Sequence, residues 1–237
     1  TNDFSTASIS SNTDNIFLIS DSTSGNGVFG SSIGFSRAQY PDRRAAAIVT
    51  VQEGSDEDNV GLAFFTHPAA NATDPVVEKL RISPEGYVTK PAHPSFCARF
   101  QSGDTFVSTH IFRLTAINND NFTWNTGGHY STSTGKFTAP VAGVYYFEAQ
   151  VMSTGWSNGN DTQDMLELRT NNGLVTYGRQ RRSYFRSEDD AHGYYVNGTA
   201  GQVNLSAGNT VWIQKRTQLS YGFGNSNYTY FTGWLIG

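Results

Sequence analysis

The residues best equipped for chemistry crowd the C-terminal third of the chain. Arg179, Arg181, Arg182 and Arg186 share one short stretch, and Glu188, Asp189 and Asp190 follow directly. Guanidinium forks bind carboxylates and anionic sugars through paired hydrogen bonds, and aromatic rings stack on sugar faces. The nearby aromatics Tyr184, Phe185, Tyr194, Tyr195, Tyr221, Phe223, Tyr228 and Tyr230 could supply such rings. Most of these rings are expected to serve a core or an interface between copies. Tyr221, Phe223 and Tyr228 stand among glycines and are the better candidates for exposed recognition, with Arg181 and Arg182 as their partners. The ordinary alternative for the charged run is a solvated loop that pairs its own ions.

Catalytic patterns are missing. His67 and His93 each precede proline, His129 lies in a glycine turn, and the spacing with His110 and His192 matches no zinc site. No Gly-X-Ser-X-Gly elbow, Cys-His pairing or phosphate loop occurs. Paired carboxylates of a glycosidase can lie far apart in sequence, so a polysaccharide depolymerase stays open as a reading. Depolymerases of fibre type usually need a long β-helical groove, for which this chain is short.

The elements that must position these groups are strands. The 237 residues include 24 glycines, 14% aromatic and 15% charged residues, with little helical periodicity, which predicts an all-β protein of one or two domains. After Pro140, the run Val-Ala-Gly-Val-Tyr-Tyr-Phe-Glu-Ala-Gln-Val places Tyr145, Phe147, Ala149 and Val151 on one face and Val144, Tyr146, Glu148 and Gln150 on the other. The first face is uniformly apolar and is expected to meet a core. Gly127-Gly128 and Ser131 to Gly135 read as turns, because glycine reaches positive φ without steric cost.

This stretch, from Asn125 to Phe147, resembles the signature of the globular head of complement component 1q, a trimeric jelly roll related to tumour necrosis factor. Asn125, Tyr130, Phe137, Gly143, Tyr145 and Phe147 occupy the spaced signature positions, whereas Asn119 and Ala149 stand where the family usually carries aromatics. Pro94 to Ala98, Leu168 to Gly173, Leu205 to Ile213 and Tyr230 to Ile236 resemble further family segments in the same order. The resemblance implies a ten-stranded jelly-roll sandwich over 95–237 that closes as a homotrimer. Some family members hold calcium near the threefold axis, which by position makes Asp189 and Asp190 candidate calcium ligands; a solvated acidic turn is the alternative.

Thr89-Lys90-Pro91-Ala92-His93-Pro94 reads as a Pro-rich linker over 89–94, since proline restricts both its own φ and its predecessor. Residues 1–88 then form a small β-rich domain with strands expected at 15–20, 28–38, 44–52, 59–66 and 76–82. So few large aliphatics make a marginal core unless copies associate. Gly30 to Ser36, Arg44 to Ile48, Gly61 to Thr66 and Glu78 to Val88 resemble repeats of bacteriophage tail fibres.

The net charge of −4 gives no concentrated basic surface for nucleic acid, and mean hydropathy of −0.43 without a long apolar run argues against membrane insertion. One cysteine, Cys97, allows no intrachain disulfide. Six Asn-X-Ser/Thr triplets, at Asn71, Asn121, Asn160, Asn197, Asn204 and Asn227, compare with roughly four expected by chance at this composition and carry no argument for glycosylation. Together these features predict a non-enzymatic trimeric attachment protein: the receptor-binding, adhesive tip of a phage tail fibre, carried on the virion beside other tail proteins and bound to a host-surface glycan or protein. The alternative is a secreted or surface binding module of cellular origin.

Overall fold

The computed structural model describes residues 14, 16–21, 23–68, 74–107, 111–118, 120–154, 166–177, 179–181, 195–215, 222–223 and 227–237. It divides into two compact units, Thr1–Ala92 and His93–Gly237. Every regular element among the described residues is a strand, and no helix there is long and apolar enough to cross a membrane.

The first unit is one antiparallel meander of β1 (Phe29–Phe35), β2 (Ala46–Gln52), β3 (Val60–Thr66), β4 (Val77–Ile82) and β5 (Val88–Thr89), each paired with its sequence neighbour. Small side chains, Ala47, Val49, Val51 and Ala63, are buried on one face. Above them Arg81 bridges Glu78 at 2.5 Å and Glu53 at 3.1 Å. The strand expected at 15–20 is not one: Ile16, Phe17, Leu18 and Ile19 are exposed and outside any ladder. An apolar run without alternation has no side to turn inward, and a hydrogen bond from the Ser31 hydroxyl to the Leu18 carbonyl (2.9 Å) tethers it. Within the expected linker, Thr89 belongs to β5. In the second unit His93 Nε2 meets the Leu235 carbonyl at 2.5 Å, and the Pro94 carbonyl accepts from the Leu235 N–H at 3.1 Å.

The second unit is a sandwich of two seven-stranded sheets. One contains β7 (Phe106–Val107), β8 (Ile111–Phe112), β10 (Tyr130–Ser131), β11 (Lys136–Thr138), β13 (Leu166–Thr170), β14 (Gly173–Tyr177) and β17 (Thr210–Lys215), ordered β10-β11-β17-β13-β14 with β8 also on β17. The other contains β6 (Ser95–Arg99), β9 (Trp124–Thr126), β12 (Gly143–Thr154), β15 (Arg179–Arg181), β16 (Tyr195–Leu205), β18 (Gly222–Phe223) and β19 (Tyr230–Leu235), ordered β15-β16-β12-β19-β6-β9 with β18 also on β12. Among the described residues of this unit, fourteen strand segments stand where ten strands were expected. The break between β9 and β10 is a tight turn, with Gly127 at φ +78° and Gly128 at +73°.

Phe96, Tyr130, Phe137, Phe147 and Phe231 form an aromatic centre between the sheets. Phe96 stacks on Tyr130 at 4.9 Å and Phe137 at 5.2 Å and meets Phe231 edge-on at 4.9 Å. The signature residues explain themselves here. Asn125 clamps its turn by accepting from the Tyr130 N–H (3.0 Å) and donating to the Tyr130 carbonyl (2.8 Å). The buried Tyr130 hydroxyl bonds both the N–H and the carbonyl of Leu114, each at 3.2 Å, which satisfies three polar groups that burial would otherwise penalise. Gly135, at φ +69°, passes so close to the Phe112 carbonyl that a Cβ there would lie 2.4 Å from its oxygen.

Candidate binding surface

Alternation along β12 sends Tyr145, Phe147, Ala149 and Val151 into the core and turns Val144, Tyr146, Glu148 and Gln150 to the outer face of the six-strand path. Register with β19 lays Trp234 beside Tyr146, Thr232 beside Glu148 and Tyr230 beside Gln150. The Glu148 carboxylate accepts from Tyr230 Oη at 2.7 Å and Tyr146 Oη at 3.2 Å. Burial, and next the bond to Glu148, push the Tyr230 hydroxyl well above its ordinary range; burial and the Glu148 charge raise Tyr146 as well. Both hydroxyls therefore remain donors at neutral pH. Tyr146 and Trp234 pack ring to ring at 4.7 Å, and Trp234 is part-exposed. Sequence alternation placed Tyr146 and Glu148 on this face, but the partnership with Tyr230 crosses 82 residues and had no local signal.

Neighbouring groups offer little chemistry. Cys97 lies opposite Thr232, and burial pushes its thiol up, so it behaves as a small apolar side chain. His129 is lowered by burial and packs edge-on against Phe137 at 6.3 Å. Arg99 lies over the Phe122 ring at 5.3 Å. Asp120 accepts the Phe122 and Thr123 N–H bonds at 2.8 and 2.7 Å. Among the described residues no three His, Cys, Asp or Glu side chains come together as a metal site. Asn197 is buried at 4% exposure, which removes that triplet as a glycosylation acceptor in the folded state.

Of the sequence candidates, Arg181, Phe223 and Tyr228 fall at one end of the same sheet. Arg181 on β15 pairs with Val196 of β16, whose partner on β12 is Met152; one row further, Phe223 of β18 pairs with Ser153. Three strand spacings of about 4.8 Å put these two backbones roughly 14 Å apart. Tyr228 stands in the turn before β19, is 43% exposed, and accepts a hydrogen bond from Gln150 Nε2 on its carbonyl at 3.2 Å. The side chains of Arg181 and Phe223, and all of Arg182, Tyr221, Asp189 and Asp190, lie outside the described residues.

A two-sheet sandwich with this signature turn and aromatic centre defines a class of jelly-roll head. Residues 96–236 match the C1q domain family, more than half of the chain, and the chain belongs to that family. It is 36% identical over 115 residues to mouse (Mus musculus) complement C1q and tumor necrosis factor-related protein 9, a match covering 48% of this chain and 30% of that protein. Human (Homo sapiens) proteins 9B and 9A of the same name are 34% and 36% identical over 115 residues, with the same coverage. The match thus spans about a third of these relatives' length. Among solved structures, the globular domain of the zebrafish complement 1qA protein aligns with 61% of this chain and 98% of its own at 19% identity, with a TM-score of 0.41.

Proposed function

We propose that this chain is a non-enzymatic, extracellular C1q-like binding module that works as a homotrimer and recognises a surface glycan or protein. Its C1q domain, together with kinship to animal C1q and tumour necrosis factor-related proteins, carries the reading. The outer face around Glu148, Tyr146 and Trp234 suits the interface between heads, because it sets exposed aromatic surface beside a carboxylate whose hydrogen bonds two tyrosines already supply. Recognition then falls to the sheet end of Arg181, Phe223 and Tyr228, with Arg182 and Tyr221 beside them in sequence.

Light scattering tests the assembly, with an expected mass near three times 25.9 kDa. A monomer at micromolar concentration would overturn it. Array binding to glycans and surface proteins tests recognition, and release of reducing sugar from an envelope polysaccharide would move the reading to a depolymerase. The phage tail-fibre tip is the second reading. It rests on the β4–β5 hairpin, where Leu80-Arg81-Ile82 and Gly86-Tyr87-Val88 carry the fibre-like string and Ile82 pairs with Val88; the mammalian relatives favour the first. Saturable adsorption of the trimer to bacterial cells, without binding to animal cells, would reverse that order.

A further inference from the structure

Among the described residues, one face of the first unit's sheet buries its small apolar side chains and the other leaves its apolar side chains half-buried or exposed. Register places Ile33, Ile48, Phe64 and Leu80 in one row across β1 to β4, and Leu62, Ile82 and Val88 in another across β3 to β5. Both rows lie on the face opposite buried Ala47, Val49 and Ala63. Phe35 extends this face at the far end of β1, beside Ala46. No charged side chain stands in these rows. Ile33, Phe35, Ile82 and Val88 keep 37–60% of their surface exposed. Those four alone leave on the order of 400 Å² of apolar surface, as large as the biggest patch a typical monomer shows. Half-buried Ile48, Leu62, Phe64 and Leu80 carry the patch toward the roughly 800 Å² per partner of a stable interface.

We infer that this apolar face is the contact between first units of neighbouring copies within one assembly. The occupant is the same face of the neighbouring copies, the faces turned together toward the threefold axis, for two reasons. A face without charge offers nothing to a partner recognised electrostatically, whereas an identical face matches it in polarity and extent. The inference also rests on the homotrimer proposed above: joined heads would hold the first units at high effective concentration, so a patch of this size need not be strong alone. The unit's poverty in large buried side chains fits the same arrangement, since its apolar residues then find their core between chains.

The test places the photoreactive residue p-benzoyl-phenylalanine at Phe35 in the full chain, irradiates it, and follows the product on a denaturing gel and by peptide mass spectrometry. The expected product runs near twice the chain mass and joins position 35 to residues 29–88 of another copy. In the same chain Ile33→Lys should lower that yield at least tenfold while light scattering still reports a trimer. Crosslinks confined to the same chain, for example to Ile16–Ile19, overturn the inference, as does a trimer that gives no interchain crosslink. Capture of the probe by added lipid vesicles in place of a second copy overturns it too. A monomer by light scattering defeats the trimer reading itself, whereas a dimer crosslinked through 29–88 would keep this contact and defeat only the threefold head.

Discussion

Gly233 is the position where the sandwich leaves least room. On β19 it stands opposite Phe147 of β12 and Phe96 of β6, both buried in the aromatic centre. A Cβ there would lie 2.3 Å from Phe147 Cδ1, 2.7 Å from Cε1 and 3.0 Å from the Tyr146 carbonyl oxygen. Carbon atoms prefer about 3.5–4.0 Å, so the ring would have to retreat by more than ~1 Å. It has nowhere to go, since Phe147 already meets Phe137 at 5.5 Å, Phe231 at 6.0 Å and Tyr145 at 6.1 Å. Gly233→Ala should therefore cost toward the upper end of overpacking, ~3 kcal/mol. For a unit of this size, at roughly 2–4 °C per kcal/mol, the melting temperature should fall by about 6–12 °C. Thermal unfolding by circular dichroism reads it. Combining Gly233→Ala with Phe147→Leu should recover on the order of 1 kcal/mol relative to the sum of the single changes, because the smaller side chain vacates the clash. A single variant that melts with the wild type, or a double variant that is merely additive, would refute the packing argument.

Residues 93–237 expressed alone should unfold cooperatively, because the core of this unit is supplied by its own two sheets; a fragment that is unfolded while the full chain is folded would move the boundary. Alanine at Arg181, Arg182, Tyr221 or Tyr228 should leave the melting temperature within the effect of about half a kcal/mol typical of surface changes, yet weaken target binding on an array. Full binding by all four variants would place recognition elsewhere. Tyr230 and Tyr130 are both raised in the fold, mainly by burial, above the value near 10 expected when unfolded, so their contribution is complete below pH ~10 and is lost as pH rises further. Tyr230→Phe should flatten the fall in melting temperature between pH ~10 and ~12; an unchanged slope would refute that assignment.

The β12 strand was legible because alternation over its length reports its faces directly, and the turns at Gly127, Gly128 and Gly135 were legible because only glycine takes those φ values cheaply. The Asn125 clamp on Tyr130 spans five residues and could be named from the signature, but not its chemistry. Ile16–Ile19 misled because β-branched composition signals a strand even where no neighbour offers a ladder. The Glu148 pair with Tyr230 could not be read, since nothing in either segment specifies that β12 and β19 are adjacent. The same limit applies to Arg181 and Phe223, which belong to one sheet end only through β16 and β12.

The position of β19 between β12 and β6 sets an order on biosynthesis. The first strand of the sandwich meets β9 early, but its other edge waits for a partner more than a hundred residues downstream, with Phe231 sitting across from Ala98. Until residues 230–235 leave the ribosome, Phe96 has no Phe231 against its edge and the central sheet is split in two. The first unit is wired the opposite way, each strand pairing with the next, and can zip as it emerges. Such long-range closure is slow, and the half-built sandwich exposes strand edges in the meantime. A ribosome stalled before residues 230–235 have emerged would thus hold a finished meander and an unclosed head, a species that chaperone capture or limited proteolysis of arrested chains would reveal.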